Sequence, residues 1–164
     1  MLDIPTQYCE SLVGHLLSQP LNAISNVAYI IAAFVAYRYL HNHRATKFYI
    51  LPVLFAVVGI GSAWWHITNS SFGDMLDTYS IVLFASVAAI MLLTRIAKSK
   101  ITVILSFALL LVLALLAERF SALNGSLPYV VLLIGFVIVG MVYVKKFPSA
   151  KKIFLAGILT FLAA

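Results

Sequence analysis

Charge is scarce in this chain. Asp and Glu together number five, and charged residues make up only 10% of the 164, where a soluble globular domain carries about 25%. A water-facing surface cannot be built from so little, and with 63% of the residues hydrophobic a soluble fold has no core large enough to hide the excess. Cysteine is scarcer still. Cys9 stands alone, which excludes an intrachain disulfide framework, and no Cys or His cluster has the spacing of a zinc finger. Residues 1–19 contain no Lys or Arg, only the acids Asp3 and Glu10. They lack the positive region of a cleaved leader and read as an N-terminal segment of the mature protein. The 11 basic residues give a formal net charge of +6, but a nucleic-acid binder gathers Lys and Arg on a solvated face or groove. Here they lie in short loops between apolar runs, so membrane orientation, not nucleic acid, is what they predict.

What is present is a succession of apolar stretches. Crossing about 30 Å of hydrocarbon takes about 20 helical residues, and runs of that order fall at Pro20–Leu40, Phe48–His66, Met75–Thr94, Ile101–Ala117 and Leu127–Val144. A sixth begins at Ile153 and has 12 residues before Ala164. At 1.5 Å per residue it reaches about 18 Å, short of a span, and is expected to be cut inside a helix. The fold class predicted is all-α: one polytopic transmembrane bundle over residues 1–164, with five full spans and a truncated sixth.

The loops give this bundle an orientation. Arg38, Arg44 and Lys47 flank the first connection, Arg95, Lys98 and Lys100 the third, and Lys145, Lys146, Lys151 and Lys152 the fifth. All fall on one side, with Arg119 alone opposite, and the positive-inside rule makes that side cytoplasmic. The five acids, Asp3, Glu10, Asp74, Asp77 and Glu118, share the other side with the N-terminus. Residues 1–19 are therefore expected on the non-cytoplasmic face. Asn69, Ser70, Ser71 and Gly73 are expected in a connection. Trp64 and Trp65 suit interfacial anchors.

Several polar groups remain inside the spans. Ser62 and His66, near the end of the second, are four apart and share one helix face. Asp77 opens the third at a similar depth, so a hydroxyl, an imidazole and a carboxylate can converge near the acidic side. Ionisable groups at membrane depth are costly and usually face partners in the bundle interior. Taken singly, each has a plainer explanation: His66 as an interfacial hydrogen-bonder, Asp77 as a cap favoured by the helix dipole. Asn22, Ser25 and Asn26, in the first span, are expected to hydrogen-bond between helices. His41 and His43 lie at the opposite membrane face from His66.

These residues occur in an order that resembles a known family. Gly59-x-Gly61-Ser62-x-x-x-His66-x-Thr68, then Leu76-Asp77, together with Tyr8-Cys9-Glu10 and Pro20-x-Asn22-x-x-Ser25-Asn26, is similar to the alkaline ceramidases. Their superfamily of seven-helix membrane hydrolases also includes the adiponectin-type receptors. The resemblance implies a zinc-dependent amide hydrolase that splits ceramide, or a related membrane lipid amide, into a sphingoid base and a fatty acid. It makes His66 the first of three histidine ligands, with Ser62 and Asp77 the catalytic pair beside the metal. A bound zinc would polarise the amide carbonyl, Asp77 would take and return a proton, and Ser62 would donate to the developing oxyanion.

Two departures accompany the resemblance. The family's other two zinc ligands form a His-x-x-x-His pair on its last helix, and these 164 residues contain none. For the family's N-terminal calcium site Glu10 is the one carboxylate, with Gln7, Leu12 and Gln19 in places where acids or an asparagine belong. Calcium takes six to eight oxygens. Two other functions fit the same scaffold: a receptor-like or lipid-binding protein with little turnover, and a small metal-free transporter.

Overall fold

The computed structural model describes residues 18–117, 127–152 and 154–155, and among these it is all helical, without strand. The helices are α1 (Pro20–Ser25), α2 (Val27–Asn42), α3 (Ile50–Thr68), α4 (Ser71–Ile96), α5 (Lys100–Ala117) and α6 (Leu127–Lys146). Among the described residues, three helical stretches are long and apolar enough to cross a membrane: Pro20–Asn42, Thr46–Thr68 and Ser71–Ile96. They correspond to the first three predicted spans. The fourth and fifth coincide with α5 and α6, of 18 and 20 residues. Of the sixth, residues 154 and 155 are helical and the remainder lies outside the described residues.

The chain groups into two compact units, one ending at Phe84 and the other beginning at Ala85. In the first, α3 packs on α1 and α2 around buried Ala23, Ala33, Leu54, Val58 and Trp65. The rings of Tyr29, Phe55 and Phe84 follow one another at centroid distances of 5.1 Å. Close approach of the helices rests on small residues, as it does generally in membrane bundles. A Cβ on Gly59 would meet Tyr29 Cβ at 2.7 Å, and one on Gly61 would meet the Leu76 carbonyl oxygen of α4 at 2.9 Å. Trp65 is 9% exposed and belongs to this core, whereas Trp64 is 48% exposed. The anchor reading therefore suits Trp64 alone.

The turn from α3 to α4 is shorter than the sequence suggests. Asn69 takes the left-handed conformation at φ 45° and donates its backbone N–H to the Trp65 carbonyl at 2.7 Å, which ends α3. Ser70 then caps α4, its hydroxyl accepting from the Gly73 N–H at 3.1 Å. Ser71 and Gly73 are consequently helical, and α4 starts four residues before the expected Met75. This one added turn brings Asp74 into the helix that holds Asp77, beside the end of α3.

In the second unit α5 packs on α6, with Gly135 against the Leu110 side chain. Lys146 Nζ donates to the Arg95 carbonyl at 2.9 Å. The last carbonyls of a helix have no partner within it, and a lysine there also answers the negative end of the helix dipole. The bond places the basic ends of α4 and α6 together.

Candidate active site

The polar residues of the first unit collect where α3 ends and α4 begins. Backbone bonds fix the chain entering α1 against that end: the Ser18 N–H donates to the Ile67 carbonyl at 3.1 Å and the Gln19 N–H to the His66 carbonyl at 2.9 Å. Both acceptors belong to the last turn of α3, whose carbonyls an isolated helix leaves unsatisfied. Gln19 is the N-cap residue of α1, directly before Pro20 in its first turn. It is fully buried, at 0% exposure.

The Gln19 side chain turns the same junction into a hydrogen-bonded site. His66 Nδ1–H donates to Gln19 Oε1 at 2.7 Å, and Asn22 Nδ2 donates to the same oxygen at 3.0 Å. A carboxamide oxygen only accepts, so Nδ1 carries a proton, and in the neutral ring Nε2 is then the lone-pair nitrogen. An imidazole oriented in this way by a buried oxygen has the form that metal-binding histidines usually take. On the other side, the Asp77 carboxyl lies beside the Ser62 hydroxyl and in the field of His66, with Asp74 the further charge near it. Two buried atoms here have no hydrogen-bond partner among the described residues, Gln19 Nε2 and Asp77 Oδ1. One is a donor and the other an acceptor, and leaving such groups unpaired costs about 1–3 kcal/mol each. Unpaired buried polar atoms are rare enough in folded proteins to point to a missing partner.

Ser62, His66 and Asp77 are therefore neighbours, as their spacing implied. Asp74 is exposed in the first turn of α4, where a carboxylate suits the helix dipole. His41 and His43 sit at the far end of α2; His41 pairs with the Tyr49 hydroxyl at 3.1 Å, away from His66. Ser25 and Asn26 differ from expectation. Ser25 Oγ and Asn26 Nδ2 both donate to the Asn22 carbonyl, at 2.8 and 2.9 Å. These bonds run within the segment, not between helices. Side chains that bond back to a carbonyl three or four residues earlier compete with the helix ladder, and Asn26 is where α1 gives way to α2.

Among the described residues no group of three or more His, Cys, Asp or Glu could hold a metal ion. Glu10, proposed for calcium, lies outside the described residues, as do Gln7 and Leu12. The residue that sequence reasoning passed over is Gln19, which it treated only as a departure from a calcium site. The available signal was a long carboxamide at a helix start with Asn22 one turn later.

Comparison with known proteins bears on this site. The family model described as Ceramidase matches residues 5–164. Over 80 residues the chain is 34% identical to Alkaline ceramidase 1 of Mus musculus, a stretch that makes up 46% of this chain and 29% of that protein. The match thus covers less than a third of the mouse protein's length. No solved structure matches.

Proposed function

The chain belongs to the ceramidase family, and from that premise we propose that it hydrolyses the amide bond of ceramide or a related membrane lipid amide, releasing a sphingoid base and a fatty acid. The observation that carries the proposal is the junction of α3 and α4, where a hydroxyl, an oriented imidazole and a carboxylate with one unpartnered oxygen adjoin. Amide hydrolysis needs a group to take a proton from water and return it to the leaving nitrogen. Asp77 Oδ1, buried and without a partner, is suited to both transfers. It also needs a donor for the developing oxyanion, and the Ser62 hydroxyl reaches one by turning from Asp77 as the carbonyl arrives.

Zinc belongs to the proposal with His66 as its ligand. His66 alone among the described residues would hold it, short of the three protein ligands that a catalytic zinc takes, and the chemistry it would supply when bound is polarisation of the amide carbonyl. Five full spans, a sixth beginning at Ile153 and a non-cytoplasmic N-terminus complete the reading, which puts the site within reach of lipid entering sideways. The alternative on the same scaffold is a receptor-like or lipid-binding protein with little turnover. Turnover separates the two. Zinc content and release of fatty acid from ceramide are measured for the protein and for His66→Ala. Loss of both is expected in the variant, and unchanged zinc and turnover would overturn the proposal.

A further inference from the structure

Gln19 has no role in the chemistry assigned so far, yet it is the most completely buried large side chain described. Its two polar atoms are in opposite states. Oε1 accepts twice, from His66 and from Asn22, and this fixes which way the carboxamide faces. Nε2 accepts nothing and donates to nothing among the described residues. The two atoms share one carbon, so the unused N–H groups lie within a few ångströms of the imidazole. A long polar side chain taken wholly out of water, with one end satisfied and the other not, is costly unless a ligand supplies the second acceptor. Across His66, Asp77 Oδ1 is the complementary atom, a buried acceptor that lacks a donor. A neutral group offering one acceptor and one donor satisfies both, and a secondary amide with a neighbouring hydroxyl is such a group.

We propose that Gln19 is a substrate-binding residue whose Nε2–H donates to the carbonyl oxygen of the lipid amide, while its Oε1 holds the His66 ring in place. The assignment rests on the amidase reading for its ligand, but it makes a separate claim about which atom reads the carbonyl. It explains why a carboxamide stands here and not a carboxylate. Glutamate would accept from His66 and Asn22 equally well but would have nothing to donate. It also distinguishes a binding role from a merely structural one, because the backbone bonds from Ser18 and Gln19 that tie this segment to α3 do not involve the side chain.

The test compares two neutral lipids in detergent micelles or nanodiscs: a ceramide, and the same lipid with a CH2–O ether link in place of the CO–NH. Binding is measured at times short against turnover, for the full-length protein and for Gln19→Glu and Gln19→Met. Glutamate keeps the acceptor for His66, and methionine keeps the length while removing both functions. The wild type is expected to bind the ceramide about tenfold more tightly than the ether, and both variants are expected to lose most of that preference. A Gln19→Glu protein that keeps the wild-type preference overturns the assignment, and so does a wild type that binds the ether as tightly as the ceramide, whether or not either variant folds. A wild type that binds neither lipid overturns the amidase reading instead.

Discussion

His66 is held at its Nδ1 by Gln19 and lies in the field of Asp77, so substitutions around it separate by the function they remove. Asp77→Asn keeps the shape of the side chain but removes its capacity to take a proton, and is expected to lower kcat by about 10²–10⁴-fold with KM nearly unchanged. Ser62→Ala removes one donor to the oxyanion and is expected to cost about 10²–10³-fold. Steady-state hydrolysis of a ceramide in mixed micelles measures both, and a rise in KM at constant kcat in either would count against the catalytic pair. The sequence revealed these residues because their spacing is local: four positions put Ser62 and His66 on one face, and the start of the next apolar run put Asp77 at their depth. Gln19 was not legible in the same way. Its partner lies 47 positions away, and nothing in a helical period reports which residue before a helix will meet the end of a distant one.

At the level of helices, apolar runs indicated each of α3 to α6 to within a few residues and took α1 and α2 as one run, because bilayer thickness and helical rise set their length. The errors concentrate at ends, where single side chains decide. Ser70 and Asn69 shortened the turn before α4, and Ser25 and Asn26 divided the first run in two by bonding to the Asn22 carbonyl. Hydropathy carries neither effect. The glycines offer a test of how the helices support the site. A Cβ on Gly61 meets backbone, the Leu76 carbonyl at 2.9 Å, which can move only by separating α3 from α4 between Ser62 and Asp77. A Cβ on Gly135 meets the end of the Leu110 side chain, which can turn aside. Gly61→Ala is therefore expected to destabilise by about 1–3 kcal/mol and to reduce activity. Gly135→Ala is expected to cost less, since the better helix propensity of alanine, about 1 kcal/mol, opposes the crowding. Thermal unfolding of both variants in detergent, alongside their turnover, decides this; equal losses of stability and activity would show that the backbone contact at Gly61 has no special weight.

For the whole molecule the charges make the strongest statement, and it is one about the membrane. In the first unit Gln19, His66, Asp74 and Asp77 lie at one end of α3 and α4, while Arg44 and Lys47 lie in the connection at the other end of α3. α4 is 26 residues long, about 39 Å at 1.5 Å per residue, and runs from Asp74 near its start to Arg95 near its end. In the second unit Lys146 meets the carbonyls of Arg95 and Ile96, so the connections after α4 and after α6 share a basic end. If basic ends face the cytoplasm, these two connections lie inside and the turn between α3 and α4 lies outside. Single cysteines on a Cys9→Ser background read this directly, at the exposed positions Ser71, Ser99 and Ser149. With a membrane-impermeant maleimide and vesicles of known orientation, Ser71→Cys is expected to label from the non-cytoplasmic side, and Ser99→Cys and Ser149→Cys only after permeabilisation. The reverse pattern would invert the orientation and put the candidate site on the cytoplasmic face. Labelling of Ser99→Cys and Ser149→Cys from opposite faces would leave an odd number of crossings between them, and five full spans could not stand.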